Sequence, residues 1–317
     1  MHSETELQNR RLEALRYALG DIVVGALNDP EVIEVRLNCD GKLWIDTHKG
    51  KRHAGNMSHE DGMTILRQVS SSLGSELSAK EPSVAGELPL NGERFQGVAP
   101  PVVEGPIFAI RKKAIKVFDL SEYIRNGVLT FSQAELLRKA ISERKNILVV
   151  GATKSGKTTF CNALLHEIGV LLPEIRMLLV EDTRELQCTL VDKTFLRSSE
   201  WTTMAEIGTW ILRLSPDSIT VGEVRAGAPT LSLLKNWNTG HPGGVATVHA
   251  NSAYEGLTRI DQLIQEVSAN PMRELIGEAI NVVVFLAYER NVRRVKEIIS
   301  VHGYDTETRR FLVETIK

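Results

Sequence analysis

The sequence predicts a two-domain α/β protein, with a mostly parallel sheet in its C-terminal part and a small α+β domain ahead of it. Three observations carry this expectation. From residue 146 onward, the runs NILVV, MLLVED, SITVGE and GGVATVHA are short, β-rich and apolar, with helical segments between them. Strands apolar on both faces that alternate with helices imply a parallel sheet covered on both sides. Before about residue 115 the pattern is different: short β-like runs broken by Pro, Gly and Asp-Gly, with two helical stretches. The length, 317 residues, is enough for two separate cores.

In chain order, residues 3–19 read as a helix. Ser3 and Glu6 have capping-box spacing, and Leu7, Leu12, Leu15 and Leu19 form an apolar stripe. In DPEVIEVRLNCDGKLWID, Val32, Val35 and Leu37 flank polar positions, and Asp40-Gly41 marks a hairpin turn before Leu43, Trp44 and Ile45. Residues 59–74 read as a second helix, and residues 89–113 as short β runs among Pro and Gly. This assigns 1–115 to the N-terminal domain, 116–130 to a connector and 131–317 to the C-terminal domain. Ser132 and Glu135 are placed as the capping box that opens the next helix. The last runs, NVVVFLAYE, VKEIISVHG and RRFLVETIK, are expected to add edge strands.

Composition narrows the function. Apolar residues are 42% and charged residues 25%, ordinary for a globular chain, and the net charge of −2 gives no bulk electrostatic case for direct nucleic-acid binding. Cys39, Cys161 and Cys188 are far apart with no CxxC pair, which argues against a zinc site or disulfide framework and for a reducing cytoplasm. No apolar run reaches the roughly 18 residues of a membrane span, and MHSETELQNRR lacks a signal-peptide core. Membrane contact is therefore expected to be peripheral.

The chemistry-bearing motifs follow the apolar runs. NILVV leads into GATKSGKT and then a helical stretch, the strand–GxxxxGK[ST]–helix pattern of a phosphate-binding loop. Gly151 and Gly156 permit close backbone approach, N–H groups and the helix N-terminus face phosphate, Lys157 reaches the β- and γ-phosphates, and Thr158 can ligate Mg²⁺. Lys154 stands at a free position of the pattern, directed to solvent or adding charge near the phosphates. VEDTREL puts Glu181 and Asp182 at a strand end, where they can orient water or hold Mg²⁺ through its water shell, or where Asp182 can act as a cap. SITVGEVR carries Gly222 where a metal-binding aspartate commonly stands, leaving Glu223 as candidate general base. Arg225 can meet phosphate or pair with an acid. Of the histidines in GHPGGVATVHANS, His241 and His249, the second ends a strand and can sense the γ-phosphate.

Four motifs in this order, GATKSGKTT, VEDTREL, ITVGEVR and GHPGGVATVHANS, resemble those of the secretion ATPases of type II and type IV machines, in which a glycine before the glutamate is normal. LNCDGKLWID and LPLNGERFQGVAPPVV bring the resemblance closer to conjugal-transfer ATPases of the TrbB type, over roughly residues 35–300. The resemblance implies a RecA-like C-terminal domain in a homohexamer at the cytoplasmic face of the inner membrane, working with membrane-bound conjugation or secretion proteins. It assigns phosphate binding to Gly151, Ala152, Thr153, Lys154, Ser155, Gly156, Lys157, Thr158 and Thr159, and catalysis to Lys157, Glu181, Glu223 and His249. Arg94 and Arg111 match N-terminal-domain arginines that reach phosphate, and Arg213 matches a contact from a neighbouring subunit. ATP and Mg²⁺ are the implied substrate and cofactor. The sequence departs from the family loop at Ala152 and at Lys154, where glycine is usual. A type II secretion or pilus motor, a nucleotide-binding scaffold without turnover, and a helicase-like enzyme are the competing readings.

Overall fold

Leu15, Leu19, Val23 and Leu27 recur every fourth residue, and all four are buried. They are the inner stripe of α1, His2–Asn28, in a computed structural model that describes residues 2–47, 50–113, 117–199, 201–289 and 292–316. The helix was expected to end at Leu19. Gly20, at φ +74°, does interrupt it, but helical geometry resumes and buries Val23 and Leu27. The expected Ser3–Glu6 cap and Leu7 involve side chains outside the described residues.

Residues 1–115 form one unit. After α1 come β1 (Val32–Leu37), β2 (Lys42–Thr47), β3 (Gly50–Asn56), α2 (His59–Ser72), β4 (Ser83–Glu87), β5 (Arg94–Val98) and β6 (Ile107–Arg111). The strands make an antiparallel sheet in the order β3-β2-β1-β6-β5-β4. The Asp40-Gly41 turn closes β1 on β2 as read. Gly41 sits at φ +79°, and a Cβ there would lie 2.7 Å from the Met57 carbonyl oxygen. Val32 and Val35 are both buried despite their odd spacing because a register shift separates them. Arg111 on β6 stands opposite Arg94 on β5, with Glu34 and Glu87 opposite them on the outer sides. Like charges directly across a ladder repel, and this Glu–Arg–Arg–Glu rung offsets the repulsion.

Residues 116–317 form the second unit. The expected connector carries a helix, α3 (Leu120–Arg125), whose Leu120 and Tyr123 are buried in this unit's core. α4 (Phe131–Ser142) follows. Its capping box is Thr130 with Gln133, two residues earlier than the Ser132–Glu135 pair expected, because the Thr130 hydroxyl accepts from the Gln133 N–H. Next come β7 (Ile147–Gly151), α5 (Lys157–Leu171), β8 (Met177–Glu181), β9 (Lys193–Arg197), α6 (Met204–Trp210) and a 3₁₀ turn Ile211–Leu214. The chain ends with β10 (Ser218–Val221), α7 (Gly227–Asn238), β11 (Val245–Val248), α8 (Ala253–Gln265), α9 (Arg273–Ala279), β12 (Val282–Glu289), β13 (Val292–Asp305) and β14 (Arg310–Ile316).

The sheet order is β14-β13-β12-β7-β11-β10-β8-β9. The six strands from β12 to β9 are parallel, and β13 and β14 are added antiparallel. Of the last three runs, all expected at an edge, β14 is at one; β13 lies between β14 and β12, and β12 lies inside, paired with β7 on one side and β13 on the other. Its VVVFLA run, buried on both faces, is the physical reason. Alternation along β7 places Leu148 and Val150 in a core with α6 to α9, and Ile147 and Val149 in a core with α3 to α5. Tyr123 packs edge-on against Phe160 of α5, with ring centroids 5.2 Å apart. Burial pushes the Cys161 thiol on α5 well up, so it packs as a small apolar group. No described helix is long and apolar enough to cross a membrane.

Candidate active site

β7, β11, β10 and β8 are adjacent and parallel, so their carboxyl ends lie along one edge of the sheet. Each of the four sequence motifs leaves the sheet at that edge.

The loop after β7 owes its shape to glycine at two points. A Cβ on Gly151 would lie 2.5 Å from both the Leu286 carbonyl oxygen and Ser155 Oγ. Gly156 takes φ +94° as N-cap of α5, with no side-chain cap. The first-turn N–H groups of α5 thus get no acceptor from their N-cap side chain, the usual condition for an anion site. Ser155 Oγ is fully buried without a hydrogen-bond partner, a further donor for a bound group. Ala152, Thr153 and Lys154 are exposed, while Thr158 and Thr159 are half-buried.

Lys154 adopts φ +66°. The left-handed region costs a non-glycine residue roughly 1–2 kcal/mol, and glycine gives back about 0.5–1 kcal/mol of that as unfolded-state entropy. Lys154→Gly is expected to stabilise the chain by about 0.5–1 kcal/mol in denaturant unfolding. Its ADP affinity should stay within about threefold of wild type, a difference under 1 kcal/mol. A tenfold loss of affinity would instead make the Lys154 ammonium part of the phosphate site.

Lys157, 7% exposed, begins a continuous chain of contacts. Its Nζ lies 3.2 Å from the Ala152 carbonyl oxygen and 3.0 Å from His249 Nδ1. An ammonium only donates, so Nδ1 accepts and the ring proton is on Nε2. That nitrogen is 2.7 Å from Glu223 Oε1. The contact is close but not aligned as a hydrogen bond, and Oε1 is buried with no aligned donor. Glu223 Oε2 accepts from Arg225 at 2.7 Å, and the other arm of the same guanidinium donates to Asp182 Oδ2 at 2.8 Å. Burial acts to raise the Glu223 pKa. The Arg225 hydrogen bond, with the charges of Arg225 and Lys157, outweighs burial and holds the carboxyl below its ordinary value.

Glu181 is 4% exposed, and its Oε2 accepts from the N–H groups of Glu185 and Leu186, both at 2.9 Å. It thereby shapes the loop after β8. Gly222 lies beside Glu181 at the ends of β10 and β8, and a Cβ there would make an ordinary contact with Glu181 Cβ at 3.4 Å. His241 is bound to the Pro216 carbonyl oxygen, leaving His249 as the histidine of the cluster. Arg213 is exposed on the 3₁₀ turn and, among the described residues, takes no part in these contacts. Arg94 and Arg111 stand half-buried on their own sheet in the N-terminal unit.

Sequence reasoning missed Asn162. Its side chain donates to the Glu185 carbonyl oxygen and accepts from the Gln187 N–H, tying α5 to the loop after β8. An asparagine inside the apolar stretch of α5 was the available signal.

Residues 91–297, which hold all four motifs, match the type II/IV secretion system protein family. The chain is 45% identical over 296 residues to a probable conjugal transfer protein TrbB of Sinorhizobium fredii, covering 93% of this chain and 91% of that one. It is 30% identical over 296 residues to the type IV secretion system protein PtlH of Bordetella pertussis, covering 81% of this chain and 86% of that one. The solved structure of the pilus retraction motor PilT with bound ADP has a TM-score of 0.62 at 15% identity, covering 92% of this chain and 80% of that one, a likeness of fold alone. A match that takes in the phosphate loop and every acidic and histidine motif beside it settles the kinship: the chain belongs to the type II/IV secretion system protein family.

Proposed function

We propose that the chain is the ATP-hydrolysing motor of a conjugative type IV secretion system. Its second unit would act as a RecA-like ATPase domain in a homohexameric ring, peripheral to the cytoplasmic face of the inner membrane and engaged with membrane-bound conjugation proteins. The observation that carries the catalytic part is the state of Glu223. One carboxylate oxygen is anchored by Arg225, and the other is buried, beside Lys157 and His249, with no aligned donor.

The described residues fit a nucleotide. Uncapped N–H groups at Gly156, buried Ser155 Oγ and Lys157 suit the phosphates, and Gly151 through Thr159 would wrap them. The Thr158 hydroxyl would hold Mg²⁺, which would supply neutralisation of phosphate charge. Lys157 then exchanges His249 for a phosphate oxygen. Glu223 Oε1 accepts a proton from water as the water oxygen bonds to the γ-phosphorus and the bond to ADP breaks. Released from Lys157, His249 reports the presence of γ-phosphate to the loop after β11. Glu181 supports the site by holding the neighbouring loop. Arg94, Arg111 and Arg213 are proposed as further phosphate contacts, from the N-terminal unit and a neighbouring subunit.

Phosphate release by the full chain tests this, with ATP and Mg²⁺, alone and with inner-membrane vesicles carrying the conjugation proteins. Turnover in either condition is expected. ADP binding with no release in both would leave a nucleotide-binding scaffold.

A further inference from the structure

A side chain from far along the sequence lies against the phosphate loop. A Cβ on Gly156 would meet Arg293 Cδ at 3.2 Å and Arg293 Nε at 3.5 Å. Arg293 thus runs along the one N-cap residue of α5 that has no side chain of its own. Its position is fixed by the β12–β13 pairing. Tyr288 stands directly opposite Arg293, and the guanidinium carbon is 5.0 Å from the Tyr288 ring centroid. A cation held over an aromatic face keeps its charge while losing rotamer freedom.

Two features of this arrangement point to an anion. Arg293 Nε is buried and has no hydrogen-bond acceptor. A buried donor on a charged group without a partner is strongly unfavourable, and in native proteins it often marks the place of an unseen ion or ligand. In addition, Arg293 joins Lys157 at the positive end of a 15-residue helix. Cations gathered at a helix N-terminus oppose its dipole, and a polyanion reverses the sign of every one of these interactions.

We infer that Arg293 is a polyphosphate-binding residue of this nucleotide site, its guanidinium fork reaching past Gly156 to phosphate oxygens of ATP or ADP. This rests on the nucleotide reading above. The planar fork suits paired phosphate oxygens in a way an ammonium does not, and Tyr288 orients it.

The test is calorimetric titration of ADP with Mg²⁺ into the full-length wild type, Arg293→Gln and Arg293→Lys, with melting of each protein without nucleotide. Arg293→Gln is expected to weaken ADP binding about ten- to hundredfold and to melt close to wild type, since Arg293 Nε makes no hydrogen bond for the change to remove. Arg293→Lys keeps the charge and stem but not the fork, and is expected to fall between the two. ADP affinity equal to wild type in the glutamine variant overturns the inference. If that variant does not fold, equal affinity in the lysine variant overturns it. Failure of the wild type to bind ADP overturns the nucleotide reading itself, an outcome distinct from the other two.

Discussion

Glu223→Gln is expected to leave ATP binding within a few-fold of wild type and to lower kcat by about 10²–10⁴-fold, the usual worth of a positioned general base. The replacement is nearly isosteric, so the contacts that place position 223 mostly survive. The amide oxygen can still accept from Arg225, and Arg225 keeps its second arm on Asp182. What is lost is the capacity to take a proton at the oxygen facing His249 and Lys157. A kcat within tenfold of wild type would move the base to another group. Stability gives a second readout whose sign follows from the same contacts. The folded-state pKa of Glu223 lies below its ordinary value of 4.5. Its ionised form therefore stabilises the fold fully above the unfolded value, and that stabilisation is lost as pH falls through the folded value. The gap in unfolding free energy between wild type and Glu223→Gln should be largest near neutral pH and should close below pH 4.5.

The parts of this site that were legible in the sequence are those that local rules dictate. GATKSGKTT could be read as a loop because its glycines and lysine have fixed places relative to a strand and a helix. Glu181, Glu223 and His249 were legible because each follows an apolar run, and parallel strands deliver such residues to one edge. What the sequence did not show depends on contacts that local rules do not reach. The Thr130 box displaced the Ser132 box by two residues because both patterns are present and only the helix start chooses between them. A run so late in the chain reads as an edge strand, although the unbroken apolar character of β12 suits a strand buried on both faces. Lys154 is a visible departure from the family loop, but its positive φ is a property of the folded loop. Arg293 gave no motif at all. It reaches the loop only because β12 pairs with β7 and β13 pairs with β12.

Lys157→Ala should behave differently from Glu223→Gln, and the contrast separates a motor from a scaffold. The lysine ammonium is expected to touch phosphate in both the bound substrate and the transition state, so its loss should raise KM and lower kcat together. A decrease of at least about 10²-fold in kcat/KM is expected, the lower end of what one preorganised donor contributes at a developing charge. The unliganded fold should lose only a little: the change relieves a cation at the positive end of α5 but gives up the bonds of Lys157 to the Ala152 carbonyl oxygen and His249, so the melting temperature of the nucleotide-free chain should fall slightly. His249 loses its partner at Nδ1 but keeps Glu223 on the other ring nitrogen. The rise in melting temperature that ADP gives the wild type should nevertheless disappear, because a ligand stabilises only in proportion to its binding. If Lys157→Ala retained the full ADP shift, Lys157 would not be a phosphate ligand. If it lost the shift while neither it nor the wild type released phosphate, the site would bind nucleotide without turning it over. Only loss of the ADP shift together with loss of a wild-type turnover makes Lys157 the link between holding the nucleotide and cutting it.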